Sequence, residues 1–224
     1  MNQKLLLSMT TVIMLAYGSI AHAAPVCQAS NRLVAENYPG ASSIYTSNNL
    51  LRAAGKAVEA EGQKLIITGQ ILDTSCAPVA DAVVELWQNN PYGRWIMANN
   101  ADLANPNPTF TGAGRTYTDA DGRFTFITAF PAPLVYELYN KKGRPISIQR
   151  APFVNIKIKK EPLADFTTAL LFANDARNET DPRLKKLKPK TREDVTLTMQ
   201  EDADGALVGS VKLVLPAKVT YRVY

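Results

Sequence analysis

Histidine is almost missing from this 224-residue chain: the single copy is His22, close to the start. Imidazole is the side chain best placed to act as a base near neutral pH and is a frequent metal ligand. Chemistry that depends on it is therefore lost if the first residues are removed. The next candidates are Cys27 and Cys76. They lack the close CxxC spacing of a metal or redox pair and have no histidine helper, so a structural disulfide is the expected role. Closing a loop of roughly 50 residues stabilises by about 4 kcal/mol in the chain-entropy account. Asp119-Ala120-Asp121-Gly122 resembles the opening of a calcium loop. The later ligand positions hold Phe124 and Thr125, and Phe130 stands where a twelfth-position acid is needed, so a hairpin turn is expected instead. The basic run Arg183–Lys190 offers an anion or surface contact, or simply a solvated loop or short helix.

Elements must position these groups. Residues 1–23 read as an export signal: Lys4, a mostly apolar run from Leu5 to Ile20, then Ala21-His22-Ala23 as a small-x-small cleavage site. Cleavage there leaves a histidine-free chain with 24 basic and 20 acidic side chains, a formal charge of +4. That excess is small and spread along the sequence, which argues against a nucleic-acid partner. No membrane span is expected after cleavage, and the expected location is periplasmic or secreted. Two cysteines suit such an oxidising space.

Residues 24–62 are polar and weakly patterned, an N-terminal arm with short-helix candidates at Arg32–Tyr38 and Asn49–Ala60 whose signals are not sharp. From residue 63 to 224 the character changes to short β-rich runs. Leu65–Leu72, Ala82–Trp87, Arg123–Thr128, Val154–Ile158, Thr168–Phe172, Val208–Leu215 and Val219–Val223 are the strand candidates. Many short strands with turn residues between them predict an all-β protein, an antiparallel sandwich or barrel in one domain. Asn89–Thr116 is rich in Asn, Pro and Gly and reads as a long functional or capping loop.

Three stretches resemble one family. Asp73–Asn90 (DTSCAPVADAVVELWQNN) followed by Gly93-Arg94, then Asn107–Thr128 (NPTFTGAGRTYTDADGRFTFIT), then Thr167–Phe172 (TTALLF) with Asp181–Leu184 (DPRL), are similar to the intradiol ring-cleavage dioxygenases of the catechol and protocatechuate type. The resemblance covers roughly residues 61–215. It implies the intradiol β-sandwich with a ligand cavity under long loops.

The resemblance also implies a non-haem Fe(III) held by two tyrosines and two histidines. Hard, anionic phenolates suit ferric iron. Here the position of the first tyrosine is Trp95. The second follows a Pro-rich turn, and after Pro131-Ala132-Pro133 comes Leu134, with Tyr136 or Tyr139 reachable only by a small insertion. The family's arginine is kept as Arg150, but the His-x-His pair reads Phe153-Val154-Asn155. Indole, aliphatic and phenyl groups cannot replace these donors, and a carboxamide binds Fe(III) weakly. No cofactor is expected, therefore, although the family uses ferric iron.

Trp95, Leu134, Tyr136, Phe153 and Asn155 should converge as a candidate pocket or as filled core, with Arg150 as a contact for an anionic ligand. The expected function is that of an exported, catalytically inactive binding or assembly module. Its partner would be an unidentified small aromatic molecule or a protein, and an exposed strand edge would permit a homo-oligomer. Two other readings stay open: a ferric ring-cleaving dioxygenase acting on catechol-type aromatics through an atypical site, and a metal-handling or redox accessory protein.

Overall fold

A computed structural model describes residues 26–95 and 109–217. The export-signal segment, part of the Asn89–Thr116 loop and the expected strand Val219–Val223 lie outside these residues. Ten strands occur among the described residues: β1 (Lys64–Leu72), β2 (Val83–Trp87), β3 (Ala113–Tyr117), β4 (Arg123–Ala129), β5 (Leu134–Tyr139), β6 (Pro145–Arg150), β7 (Phe153–Lys159), β8 (Phe166–Phe172), β9 (Thr196–Glu201) and β10 (Leu207–Val214). A six-residue helix, α1 (Pro189–Asp194), starts on a proline, which sets the first helical φ without removing a needed N–H.

Eight strands pair in the order β3-β2-β7-β8-β9-β10-β1-β4, while β5 and β6 form a separate hairpin. The link between the two halves is slight: β8 and β9 are parallel over Leu171↔Thr196 and Phe172↔Leu197. Each half then presents one apolar face to the other. Leu65, Ile67 and Phe126 from the β1/β4 half meet Leu86, Ile156 and Leu170 from the β2/β7/β8 half in one buried core. That is a sandwich, mostly antiparallel, with β1 and β10 as its second parallel pair.

The alternation of β7 decides where the site lies. Val154, Ile156 and Ile158 face the main core. Phe153 and Asn155 point the other way, yet both are fully buried. A strand buried on both faces needs a second cover. Here the cover is a satellite core in which Phe153, Ala169 and Leu171 pack under Leu33, Leu134 and Leu184.

Four local expectations are corrected, the first being that the end of the expected loop Asn89–Thr116 is strand β3, paired with β2. Arg32–Tyr38 is an irregular arm rather than a helix, and Asn49–Ala60 is mostly bends and turns. The arm's backbone is claimed by the sheet: Leu33 N–H donates to Thr168 Oγ1 (2.9 Å) and Leu33 C=O accepts from Ala169 N–H (2.9 Å). The turn Asp119–Gly122 is as expected, with Asp119 Oδ1 accepting from the N–H groups of Asp121 and Arg123. It joins strands of different halves, however, because β3 pairs with β2 and β4 with β1.

The disulfide is present: Cys27 and Cys76 are bonded. Cys27 N–H also donates to Thr74 C=O (2.9 Å), so the start of the arm is fastened to the loop before β2.

Candidate functional site

The outer face of β7 carries the site. In the register Trp87↔Asn155, β2 lies beside it, and Asn155 Nδ2 donates to Trp87 C=O (3.3 Å). The other end of that amide, Oδ1, accepts from Glu36 N–H (3.1 Å). Trp87 Nε1 donates to Glu36 C=O (2.7 Å). Glu36 is thus gripped at both backbone groups by two buried side chains of the sheet, and its carboxylate is turned to one side with little freedom.

That side is a cluster of charged and phenolic groups. The pair Leu134↔Arg150 closes the hairpin at its root, which sets Tyr136 and Arg150 on one face. Tyr136 Oη donates to Glu36 Oε2 (3.0 Å). Arg150 Nη1 donates to Glu36 Oε1 (3.2 Å), and Arg183 Nη1 bonds the same oxygen. Behind them Asp181, fully buried, accepts from Arg150 Nε with both oxygens (2.9 and 3.0 Å) and from Ala151 N–H (3.0 Å). Burial and the bond to Glu36 raise the Tyr136 phenol to about 12. Near neutral pH it is a hydrogen-bond donor to Glu36.

The aromatic side of the cluster comes from the loop after β2. Asn90 Oδ1 accepts from the N–H groups of Tyr92 and Arg94 (both 3.0 Å), a tight turn that delivers Trp95. Trp95 is half-buried, with its ring centroid 6.1 Å from that of Phe153. The Arg183 guanidinium lies 4.7 Å above the other ring contact, the Phe153 centroid, within cation–π range.

The structure brings together the six residues of the candidate pocket: Trp95, Leu134, Tyr136 and Phe153 in one apolar cluster, with Asn155 and Arg150 at its edges. Tyr139 is left out, exposed near the far end of β5. Sequence reasoning missed Glu36, Asp181 and Arg183. Asp181 and Arg183 lie inside a stretch that carried the family resemblance, and Arg183 belongs to the basic run, but nothing marked one member of that run as inward-facing. Glu36 had no signal, because a lone acid in an unpatterned arm looks like any solvated residue.

The donors at the positions that the resemblance equates with iron ligands do not fit the metal. Trp95 and Phe153 have no anionic donor, Leu134 has no donor, and both ends of the Asn155 amide are committed to backbone groups. No cluster of three or more His, Cys, Asp or Glu side chains with metal-binding geometry occurs among the described residues. A surface cavity of about 640 Å³ opens elsewhere, between the end of β8 and α1, and touches none of the site residues above.

The family model for dioxygenases, Dioxygenase_C, matches residues 40–215. The beta chain of protocatechuate 3,4-dioxygenase from Burkholderia cepacia is 35% identical over 106 residues, 47% of this chain and 45% of that one. The alpha chain of protocatechuate 3,4-dioxygenase from the same organism is 27% identical over 161 residues, 71% of this chain and 74% of that one. The chain spans about half the length of the first curated relatives it matches. Among solved structures, 3-chlorocatechol 1,2-dioxygenase from Rhodococcus opacus 1CP superposes with a TM-score of 0.63 at 23% identity, covering 87% of this chain and 74% of that one. The match in sequence over three-quarters of the chain and the shared sandwich lead to one conclusion: this chain belongs to the intradiol dioxygenase family.

Proposed function

We propose that this chain is an exported, non-catalytic member of its family that keeps the sandwich as a binding module. One observation carries the reading: the positions equated with the iron ligands hold groups that either lack a donor or have already used it. Phe153 is fully buried in packing, Asn155 spends its amide on Glu36 and Trp87, and Tyr136 donates its hydroxyl to Glu36. A ferric centre needs anionic oxygen and imidazole donors in an open geometry. Asn155 and Tyr136 do different work: they fasten the arm at Glu36, across the face that the resemblance equates with the family's iron site.

Export is supported by the leader-like residues 1–23 and by the Cys27–Cys76 bond, which belongs to an oxidising, non-cytoplasmic compartment. Retention of Arg150, in charge-assisted bonds with carboxylates, supports a site that recognises rather than transforms.

The test is elemental analysis, an absorption spectrum and oxygen uptake on purified protein after incubation with ferric or ferrous iron. A colourless protein that retains no iron and consumes no oxygen with catechol or protocatechuate is expected. A reddish protein with a tyrosinate charge-transfer band and oxygen uptake would overturn the reading in favour of a working ring-cleaving dioxygenase.

A further inference from the structure

The outer part of the β5–β6 hairpin takes no part in the site. From Glu137 to Gln149 none of its residues is buried, and the two strands pair only with each other among the described residues. A two-stranded hairpin standing alone is marginal in water and normally lies against something. Its turn is well built all the same. Asn140 Oδ1 accepts from the N–H groups of Lys142 (2.9 Å) and Arg144 (3.1 Å), and Gly143 supplies the positive φ of 71°. Behind the turn the hairpin is apolar on both faces. Leu138 and Ile146, a cross-strand pair, share the face of Tyr136, while Val135 and Tyr139 lie on the other. All four of Val135, Leu138, Tyr139 and Ile146 are exposed, Tyr139 to 78%. The turn itself holds Lys141, Lys142 and Arg144, and the one acid of the hairpin is Glu137.

A second group of cations stands at the root of the hairpin. Arg150, the last residue of β6, is bonded to Asp181, and the chain runs from there into the basic stretch. Leu184 and Leu187 pack into the satellite core with Leu134, so Lys185, Lys186 and Lys188 are turned outward and exposed. Neither these three nor Lys141, Lys142 and Arg144 have an ion pair among the described residues. The acids on either side of the stretch are already taken, Glu179 by Arg192 and Glu193 by Lys190. A six-residue strand reaches roughly 20 Å. Six cations, set against the single acid Glu137, therefore run from the root of the hairpin to its tip.

This mixture fits the interface of an anionic bilayer. Aliphatic side chains enter the upper acyl layer, a tyrosine sits at headgroup level, and long lysine and arginine stems reach the phosphates. A rigid protein partner would cover one face of the hairpin, whereas a fluid interface surrounds both. We propose that the β5–β6 hairpin and Lys185, Lys186 and Lys188 dock the protein peripherally on an anionic phospholipid surface. Leu138, Tyr139 and Ile146 enter the interface, and the six cations hold the headgroups. The inference concerns the end of the sandwich and is independent of any ligand on the outer face of β7.

The experiment is co-sedimentation of the chain from Ala24, which lacks the apolar leader, with vesicles of phosphatidylcholine alone or mixed with phosphatidylglycerol. Sedimentation with the mixed vesicles only is expected, and it should weaken as salt is raised. The triple variant Lys141→Gln, Lys142→Gln, Arg144→Gln should lower partitioning about a hundredfold, and Lys185→Gln, Lys186→Gln, Lys188→Gln by a similar factor. Leu138→Ser with Ile146→Ser should lower it about tenfold and leave the preference for the anionic lipid. All these positions are exposed; should a variant still fail to fold, the two lipids compared on the unaltered protein decide. No sedimentation with the mixed vesicles, equal sedimentation with both lipids, or a tip variant that binds as well as the unaltered protein would overturn the proposal. So would a dimer in the ultracentrifuge that Leu138→Ser dissociates and that binds no vesicles, since the hairpin would then belong to a second copy of the chain.

Discussion

The phenol of Tyr136 donates to Glu36 Oε2 at 3.0 Å across a hundred residues of sequence, tying the hairpin to the N-terminal arm. The bond has a titration signature. Burial first, then the bond to Glu36 and its charge, raise Tyr136 from 10.0 to about 12. Because the folded value lies above the unfolded one, the stabilising contribution is complete below pH 10 and is lost as pH rises through about 12. A spectrophotometric titration should show a phenol that ionises near that value and disappears in Tyr136→Phe. In Glu36→Gln it should move part of the way back towards 10, since the burial remains. A Tyr136 that ionises at its ordinary value would mean that the arm does not seat Glu36 against it.

Phe153 and Trp95 are neighbours with different burdens. Phe153 is fully buried between the sheet and the Arg183 guanidinium, whereas Trp95 is half-buried at the end of a loop. Phe153→Ala should cost about 3–5 kcal/mol, the range for truncating a buried aromatic ring, and Trp95→Ala clearly less. Denaturant unfolding of both variants reads this directly. Equal losses would place Trp95 in the core proper, and a near-neutral Phe153→Ala would mean that the satellite core is not packed.

The disulfide fixes one end of the arm, and the hydrogen bonds at Leu33 and Glu36 fix the rest. Replacing Cys27 and Cys76 by serine should lower stability by about 4 kcal/mol on the loop-entropy estimate for roughly 50 residues. It should also speed amide exchange at Cys27 and Ser30 more than at Leu33, because the arm's later contacts do not pass through sulfur. Uniformly faster exchange along the arm would show that the bond holds the whole strap.

How far the fold and the site were legible depended on the kind of signal. Runs such as Leu65–Leu72 and Arg123–Thr128 alternate or stay apolar because the main core demands it, and they are strands. The strands β5, β6 and β9 lack that mark: β6 is mostly exposed, and β5 buries only Leu134 well. Their role is to carry Tyr136 on β5 and Arg150 on β6 rather than to fill a core. The convergence of Trp95, Leu134, Tyr136, Phe153 and Asn155 was legible through the family resemblance. Glu36 was not, since its place is set by two long-range backbone bonds, from Asn155 and Trp87, that no local pattern encodes.

A last relationship concerns acid. Asp194, at the end of α1, accepts from Asn31 N–H (2.9 Å) and Asn31 Nδ2 (2.8 Å), and pairs with Lys190 Nζ at 2.9 Å. Burial opposes its ionisation, but the bonds from Asn31 and Lys190 outweigh that and hold the carboxyl below its ordinary 3.8. A depressed carboxylate contributes stability that is complete above the unfolded value and is lost as pH falls through the folded one. The arm should therefore stay docked at Asn31 from neutral pH down to about 3.8 and loosen only below it. Amide exchange at Asn31, followed as a function of pH and corrected for intrinsic rates, measures this. In Asp194→Asn the acid step should vanish, with protection at Asn31 weaker than in the unaltered protein above the step and similar to it below. Loosening well above pH 3.8 would mean that another group, with Glu36 the first to examine, controls the docking of the arm.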